Sequence, residues 1–195
     1  MTETKPLDPG TTALLTIDVQ PTVLSRFSDT GGLLERVRAT IETARDSGVF
    51  VAYARVYLTA EEAAAVSPRN KLFGHFAAMT PPPDGPETQV DQRLGAPLPA
   101  EPVFRKTRMG SFSTTDLDAR LRERGVDTLV LTGVATSGAV LSTAREAADR
   151  DYRVMILSDC CADFDPEVHR VLMEKVLPMT AEVLDAAGFE GILRR

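Results

Sequence analysis

The clearest structural signal in this chain is the stretch Asp127-Thr128-Leu129-Val130-Leu131-Thr132-Gly133-Val134-Ala135-Thr136-Ser137-Gly138. Residues 127–133 form a strongly apolar segment of strand length, and a glycine-containing turn leads into a helical pattern over about residues 138–149. A strand that is apolar throughout needs cover on both faces, which is typical of parallel sheets. This stretch therefore predicts a strand–turn–helix unit of an α/β protein.

The same alternation of strands and helices continues on both sides of that unit. Further strands are predicted at residues 13–17, 49–58, 102–105, 152–157 and 181–184. Helices are predicted from about Leu33 to Gly48, from a capping-box-like start at 113–116 to Gly125, from Asp165 onward, and at the C-terminus. The pattern predicts a three-layer, Rossmann-like α/β fold, in which helices flank both faces of a parallel sheet.

Length and composition suit one domain over residues 1–195. Hydrophobic residues make up 43% and charged residues 26% of the chain, close to the average of globular proteins. The 22 basic and 28 acidic residues give a net charge of −6 without a basic stripe, so a nucleic-acid partner is not expected. The chain has no apolar run of the ~20 residues that cross a membrane and no secretion signal at its start. We therefore expect a cytoplasmic protein without a membrane partner.

Residues 59–100 interrupt the alternation of strands and helices. The segment is first alanine-rich and then proline-rich, and it shows no clear periodicity. Insertions of this length in compact domains are usually lids, binding loops or subunit contacts. A lid or subunit-contact insertion is therefore predicted, with a solvated surface loop as the alternative of equal weight.

The cysteine and histidine positions argue against a metal site. Cys160 and Cys161 are adjacent, which suits neither a disulfide framework nor spaced zinc ligands, and His75 and His169 lie far apart in the sequence. The turn 133–139 contains no G-x-G-x-x-G dinucleotide fingerprint. We expect neither a metal nor an organic cofactor.

Polar or glycine-rich features follow three of the predicted strands. Asp18 and Gln20 come after the first strand, Lys106 and Arg108 after the third, and the turn 133–139 after the fourth. In open parallel sheets, ligands bind beyond the carboxyl ends of the strands, where these features would meet. Lys106 would then hold Asp18 ionised, and backbone N–H groups at the helix start would face developing negative charge. Together they predict an acid–base centre that lacks a nucleophile.

Each feature also has a plain structural alternative. An aspartate after a strand is commonly a turn or cap residue, and a lysine at a strand end is commonly a surface residue. Glycines in the turn serve tight strand-to-helix geometry equally well. Only the convergence of all three features favours a site.

Four motifs stand out along the chain. They are Leu15-Thr16-Ile17-Asp18-Val19-Gln20, Lys106-Thr107-Arg108 with Ser111-Phe112-Ser113 and Asp116-Leu117, Thr132-Gly133-Val134-Ala135-Thr136-Ser137-Gly138, and Ser158-Asp159-Cys160-Cys161-Ala162-Asp163. In this order and spacing they resemble the isochorismatase-like hydrolases, a family that includes nicotinamidases, N-carbamoylsarcosine amidases and isochorismatases. The resemblance covers nearly the whole chain. It implies a six-stranded parallel sheet, hydrolysis of a small molecule, and a homodimer or larger assembly in which a neighbouring chain contributes to the pocket.

The resemblance also implies particular site residues. Asp18 and Lys106 match the aspartate and lysine of the family, and the cysteine that most members use falls at Ala139. A cis peptide that is common in the family would lie in the turn at residues 134–135. The two cysteines, at 160–161, match a different segment that follows the fifth strand, and they are expected to be ordinary buried thiols.

Alanine at position 139 cannot form a thioester. Three explanations stay open: a natural branch without the cysteine, as the isochorismatases are, a cysteine-to-alanine variant of an amidase, or a homologue that binds a small molecule without catalysis. The residues around Ala139 favour the first explanation.

Two mechanisms need no cysteine. In the first, Asp18 protonates the alkene of a vinyl ether before water adds, while Lys106 holds Asp18 in position. In the second, Asp18 activates a water molecule in the space beside Ala139, and N–H groups at 137–139 stabilise the oxyanion of an amide, imide or ester.

The remaining predicted contacts are with the substrate. Arg69 and Arg108 are candidate partners of a substrate carboxylate, and Phe27, Phe73 and Phe112 are candidates for an apolar wall. The other predicted binding residues are Gln20, Val134, Ala135, Thr136, Ser137 and Gly138.

Overall fold

In residues 6–78 and 85–193, which the computed structural model describes, six strands form one parallel sheet. The strands are β1 (Thr12–Ile17), β2 (Phe50–Val56), β3 (Val103–Lys106), β4 (Thr128–Val134), β5 (Arg153–Ala162) and β6 (Glu182–Leu184). Their order across the sheet is β3-β2-β1-β4-β5-β6, and each neighbouring pair is parallel. The predicted six-stranded parallel sheet is therefore confirmed.

Helices connect the strands and cover both faces of the sheet. They are α1 (Pro21–Leu24), α2 (Gly31–Asp46), α3 (Ala60–Ala64), α4 (Lys71–Ala77), α5 (Leu117–Glu123), α6 (Leu141–Ala148), α7 (Pro166–Val171) and α8 (Ala186–Leu193). A π-helical segment, Thr136–Val140, precedes α6, and a second one, Leu172–Val176, follows α7. Within the described part of the chain, no helix combines the length and the apolar character that a membrane crossing requires.

Alternate residues of the buried strands pack into two separate cores. On one face, Leu15 of β1 belongs to the core that includes α5 and α6. On the other face, Leu14 packs with the apolar stripe of α2 and with α8. Both faces of β1 and β4 are buried, which explains why the sequences of these strands are apolar almost without interruption.

β5 is longer than predicted and contains both cysteines, which were expected to follow it. Cys160 lies in the core on the α2 face, with its Sγ 3.4 Å from Thr40 Oγ1. Cys161 lies in the opposite core, with its Sγ 3.9 Å from the carbonyl oxygen of Leu131. In the sequence, the polar pair at positions 158–159 indicates a strand end. The strand nevertheless continues through this pair, and the two cysteines that follow are buried on opposite faces of the sheet.

α5 begins later than the capping-box pattern predicts. Asp116 is the N-cap and Leu117 is the first helical residue. The Leu117 N–H donates to Thr115 Oγ1 at 3.2 Å, while Thr114 Oγ1 accepts the N–H of Thr107 at 3.0 Å. The residues before Asp116 therefore bind the loop after β3 and do not start the helix.

In its described residues, 59–78 and 85–100, the insertion contains two short α-helices that the sequence pattern did not indicate. α3 starts with a capping box, in which Thr59 and Glu62 each accept the backbone N–H of the other. α4 brings Leu72 and Phe73 to the cavity described below. Helices of 5 and 7 residues are too short to reveal a helical period. The role of the insertion as a lid or subunit contact stays a prediction.

Gly133 marks a close approach between β4 and β1. Its φ is +120°, and a Cβ at this position would overlap the carbonyl oxygen of Ile17. We expect Gly133→Ala to lower the free energy of unfolding by about 3 kcal/mol or more, because a side chain must separate two central strands and adopt a glycine conformation. Urea unfolding measures this loss. Gly191→Ala in α8 is the control, since a Cβ there meets nothing within 4 Å; equal effects of the two changes would contradict the described packing.

Candidate active site

A cavity of about 320 Å³ lies beyond the carboxyl ends of four strands. Asp18 follows β1, Val56 ends β2, Lys106 ends β3 and Val134 ends β4. Strand order changes direction between β1 and β4, which is the position where open α/β sheets bind ligands. The lining residues are Asp18, Val23, Arg26, Val56, Leu72, Phe73, Lys106, Met109, Val134, Ala135, Ser137, Gly138, Ala139 and Phe164.

Asp18 and Lys106 form a buried ion pair at this cavity. Lys106 Nζ lies 2.7 Å from Asp18 Oδ2, and the two side chains are only 1% and 7% exposed, respectively. β2 separates β1 from β3, so the lysine reaches across two strand spacings, or about 10 Å. The structure therefore brings together the carboxylate and the ammonium group that the sequence analysis paired.

The backbone of Asp18 turns sharply at the end of β1. Its φ is +54°, in the left-handed region that aspartate tolerates better than most residues, and its N–H donates to the carbonyl oxygen of Ala54 at 2.8 Å. Asp18 Oδ2 contacts Lys106, whereas the buried Oδ1 accepts no hydrogen bond from the described residues. The described residues thus leave one oxygen of this carboxyl group without a partner, in a residue that lines the cavity.

Burial raises the pKa of Asp18 above its ordinary value, and the charge and hydrogen bond of Lys106 oppose that rise without cancelling it. A carboxyl group with a raised pKa exchanges its proton closer to neutral pH than an exposed aspartate does. That property suits a general acid or base.

Lys106 is held by three acceptors. Its ammonium group contacts Asp18 and donates to the carbonyl oxygens of Arg108 at 3.2 Å and Met109 at 3.0 Å. An ammonium group has three N–H donors, so all of them are engaged. A substrate carboxylate would have to displace one of these partners in order to bind Lys106.

The turn after β4 presents Ala139 to the cavity. The peptide between Val134 and Ala135 is cis, as the family resemblance implied, and the π-helical segment begins at Thr136. Ala139 is 2% exposed and lines the cavity. Its methyl group supplies no nucleophile at this point of the wall.

The backbone N–H groups of this turn are partly engaged by the protein. The Ser137 N–H donates to Asp163 Oδ2 at 2.6 Å, and the Gly138 N–H donates to the carbonyl oxygen of Ala135 at 3.1 Å. Two of the three amides expected to face an oxyanion therefore have partners. The N–H of Ala139 is left as the candidate for that role.

Gln20 supports the framework and is not among the residues that line the cavity, so the lining gives no support to its predicted contact with substrate. It is 1% exposed. Its Nε2 donates to the carbonyl oxygens of Val56 at 3.1 Å and Thr88 at 2.7 Å, and its Oε1 accepts the Val56 N–H at 2.8 Å. These bonds join the turn after β1 to the end of β2 and to the insertion.

Phe112 and Thr136 also face the protein interior, contrary to expectation. Phe112 is buried in the core, with its ring centroid 6.0 Å from that of Tyr152. Thr136 is fully buried, and its Oγ1 lies 2.8 Å from Nδ1 of His169. Burial lowers the pKa of His169, and Asp163 opposes this. The contact between its imidazole and the threonine hydroxyl connects the π-helical turn to α7.

Three other predicted residues lie outside the cavity lining. Phe27 packs against Phe164 with a centroid separation of 4.6 Å, and the Arg108 guanidinium lies 5.4 Å from the ring centroid of Phe73. Both therefore contact a lining residue and not the cavity itself. Arg69 is exposed and does not line the cavity.

The cavity also contains residues that the sequence analysis did not identify. Among them, Val56 had a usable signal, because it ends β2 between the strands that carry Asp18 and Lys106. The others come from α1 and its following loop, from α4 and from the loops after β3 and β5. They are Val23, Arg26, Leu72, Met109 and Phe164.

Neither cysteine lines the cavity. Burial raises the pKa of the Cys160 thiol to about 12, and burial likewise raises the pKa of Cys161. Both groups therefore stay protonated near neutral pH, and a protonated thiol is a poor nucleophile. They are buried core residues, as the sequence analysis expected.

Residues 6–78 and 85–193 contain no cluster of three or more histidine, cysteine, aspartate or glutamate side chains arranged to hold a metal ion. In the cavity, the carboxylate of Asp18 binds Lys106. A carboxyl group paired with an ammonium group can transfer a proton and form hydrogen bonds.

The cavity lies beyond the carboxyl ends of the strands, where open parallel α/β sheets bind small molecules. Residues 12–188 match the Isochorismatase domain. The chain belongs to the isochorismatase family and is a hydrolase of that family.

Two named relatives are amide-cleaving enzymes. The chain is 32% identical to the ureidoacrylate amidohydrolase RutB of Methylobacterium radiotolerans, over 96% of this chain and 81% of that protein. It is 29% identical to the N-carbamoylsarcosine amidase of an Arthrobacter species, over 70% of this chain and 52% of that protein. A cysteine hydrolase from Pseudomonas syringae pv. phaseolicola has the same fold, with a TM-score of 0.88 at 23% identity over 100% of this chain and 99% of that one.

Proposed function

We propose that this hydrolase cleaves a small metabolite without forming a covalent bond to residue 139. Asp18 acts as the general acid–base, and Lys106 fixes its carboxyl group and stabilises its anion. The observation that carries this proposal is the buried Asp18–Lys106 pair, which lines the same cavity as the methyl group of Ala139. Burying two charges has a desolvation cost that simple ligand binding does not require, which argues against a protein without catalysis.

Hydrolysis of a vinyl ether is the reaction that this geometry supports best. Protonated Asp18 transfers its proton to the terminal alkene carbon, and the ether oxygen shares the resulting positive charge. Water adds to the cationic carbon and returns a proton to Asp18, after which the hemiketal separates into a ketone and an alcohol. Burial favours this role, because it raises the pKa of Asp18 and so preserves its proton-donating form.

Hydrolysis of an amide, imide or ester is the second candidate, because two relatives are named for amide cleavage. Asp18 would then take a proton from the attacking water, and the N–H of Ala139 would donate to the oxyanion. The N–H groups of Ser137 and Gly138 already have acceptors. Because the turn offers few donors for an oxyanion, we place ether cleavage first.

The pH dependence of kcat/KM distinguishes the two roles of Asp18. A general acid works only while protonated, so ether cleavage is expected to lose roughly tenfold in kcat/KM per pH unit above the pKa of Asp18, which burial raises. A general base loses activity in the opposite direction, as pH falls below that pKa. Initial rates of the wild type over about pH 4 to 9 measure the profile. Ether cleavage that only increases with pH would contradict the role of Asp18 as the acid.

The Ala139→Cys variant tests whether the site is an amidase without its nucleophile. Isochorismate, ureidoacrylate and nicotinamide are the test substrates for the wild type and the variant. We expect ether cleavage in the wild type. We expect no new amide cleavage in the variant, because the turn offers few N–H donors to stabilise an oxyanion. Intact-mass spectrometry checks for an acyl adduct, and Ala139→Ser is the size-matched control. New amidase activity together with a thioester would instead identify an amidase scaffold in which alanine replaces the cysteine.

A further inference from the structure

Arg26 lines the cavity, and its guanidinium N–H donors are not bound to a carboxylate of the described residues. Arg26 and Lys106 are the cationic residues in the lining, and the ammonium group of Lys106 is fully engaged by Asp18 and two carbonyl oxygens. Arg26 is exposed and forms no ion pair with any residue that the structure describes. The positive charge that a ligand can use is therefore the guanidinium of Arg26.

Aromatic stacking positions this guanidinium. Arg26 Cζ lies 4.6 Å from the ring centroid of Phe164, and the Phe164 ring packs in turn against Phe27 with a centroid separation of 4.6 Å. A guanidinium that stacks through its face keeps its N–H edge available for two parallel hydrogen bonds to a carboxylate. This cation–π contact places the Arg26 guanidinium beside Phe164 and uses none of its N–H donors in a hydrogen bond.

The rest of the lining suits an apolar body. Lys106 has its donors engaged by Asp18 and two carbonyl oxygens, so Arg26 is the cation in the described lining that can offer donors to a ligand. A small molecule with one anionic end fits this arrangement, whereas a cationic molecule would meet no unpaired carboxylate in the lining. The remaining side chains are mostly apolar, and they include Val23, Val56, Leu72, Phe73, Met109 and Phe164.

We propose that Arg26 binds a carboxylate of the substrate and makes the site selective for small carboxylic acids with an apolar body. This inference deepens the proposed function and rests on it for the position of the chemistry at Asp18. It assigns the carboxylate to Arg26 in place of Arg69 and Arg108, which lie outside the lining.

Equilibrium binding tests this assignment without requiring turnover. Isothermal titration calorimetry of the full chain uses two matched pairs of probes: benzoate with benzamide, and crotonate with crotonamide. In at least one pair, we expect the carboxylate to bind the wild type about tenfold or more tightly than its amide. Arg26→Gln is expected to remove this preference and leave amide binding unchanged. Arg26→Lys should retain part of it, because a point charge replaces the bidentate fork.

Arg108→Gln is the matched control and should keep the full carboxylate preference. Any of four results would overturn the assignment. The wild type binds neither carboxylate, it binds acid and amide equally, the preference survives Arg26→Gln, or the preference is lost in Arg108→Gln. If the preference depends on Arg26 while the wild type cleaves neither ethers nor amides, the proposed function fails and the Arg26 assignment stands.

Discussion

Asp18→Asn is expected to reduce kcat/KM by about 10²–10⁴-fold, the contribution that a general acid or base typically makes. Asparagine keeps the size of the side chain, tolerates the positive φ of this position and still offers an oxygen to Lys106. It cannot donate or accept the catalytic proton. The loss should therefore appear in kcat, while the circular dichroism spectrum of the variant stays that of the wild type.

Steady-state kinetics on the substrate that the wild type turns over best measures this effect. Asp116→Asn is the matched control, because it makes the same carboxylate-to-amide change at an exposed helix N-cap whose side chain caps no backbone N–H. The control should retain the activity of the wild type. Turnover of Asp18→Asn within about threefold of the wild type would exclude Asp18 as the acid–base group.

Lys106→Met is expected to lower the free energy of unfolding by about 3–5 kcal/mol at neutral pH, because it leaves a buried carboxylate without its cation. The carbonyl oxygens of Arg108 and Met109 also lose their donor. Activity should fall as well, since nothing then orients Asp18 or stabilises its anion. The side-chain length is nearly unchanged, so loss of packing contributes little.

The stability loss in Lys106→Met should grow as pH rises. Lys106 opposes the burial that raises the pKa of Asp18, so its removal raises that pKa further. The folded variant then binds its proton more tightly than the unfolded chain does, and the free energy of unfolding decreases as pH rises through this interval. Below the unfolded-state pKa, Asp18 is protonated in both states and this part of the loss disappears.

Urea unfolding of the wild type and Lys106→Met at acidic and alkaline pH measures this dependence. Lys175→Met, at an exposed position, is the control and should change stability by no more than about 0.5 kcal/mol at either pH. Adding Asp18→Asn to Lys106→Met should recover part of the stability, because the pair is coupled. A loss under about 1 kcal/mol, or a loss that is equal at both pH values, would contradict a buried, mutually dependent ion pair.

The fold was predictable from the sequence to the extent that burial leaves a pattern. β1 and β4 are buried on both faces, and such strands show as apolar runs of the correct length. The sequence predicts β5 only as far as residue 157, because Ser158 and Asp159 interrupt its apolar run. The strand itself continues to Ala162. α3 and α4 were missed because helices of this length leave no period.

The centre of the site was predictable, whereas its walls were not. Asp18 and Lys106 are polar residues at strand ends, and the topology of a parallel sheet brings such ends together. Gln20 is also a polar residue that follows a strand, yet its amide forms hydrogen bonds with the backbone of Val56 and Thr88. Arg26 reaches the cavity because of aromatic packing on Phe164, and no one-dimensional pattern encodes that contact.

Assembly and cellular location were also predicted from the sequence. Three predictions remain untested: a homodimer or larger assembly, a subunit contact through the insertion at 59–100, and a cytoplasmic location. Sedimentation equilibrium of the full chain tests the assembly directly. A structure of such an assembly would show whether a second copy covers the cavity near Arg26 and Phe164.

In the proposed mechanism, a buried Asp18 that is paired with Lys106 holds and moves the proton of the reaction. A ¹³C NMR titration of the Asp18 carboxyl carbon, assigned with Asp18→Asn, measures whether this group titrates as the mechanism requires. We predict that the carboxyl titrates above the ordinary aspartate range, that Lys106→Met moves the midpoint higher still, and that kcat/KM of the wild type changes at the midpoint of the wild-type titration. The mechanism would be wrong if this carboxyl group titrated as an exposed aspartate does and did not respond to Lys106→Met.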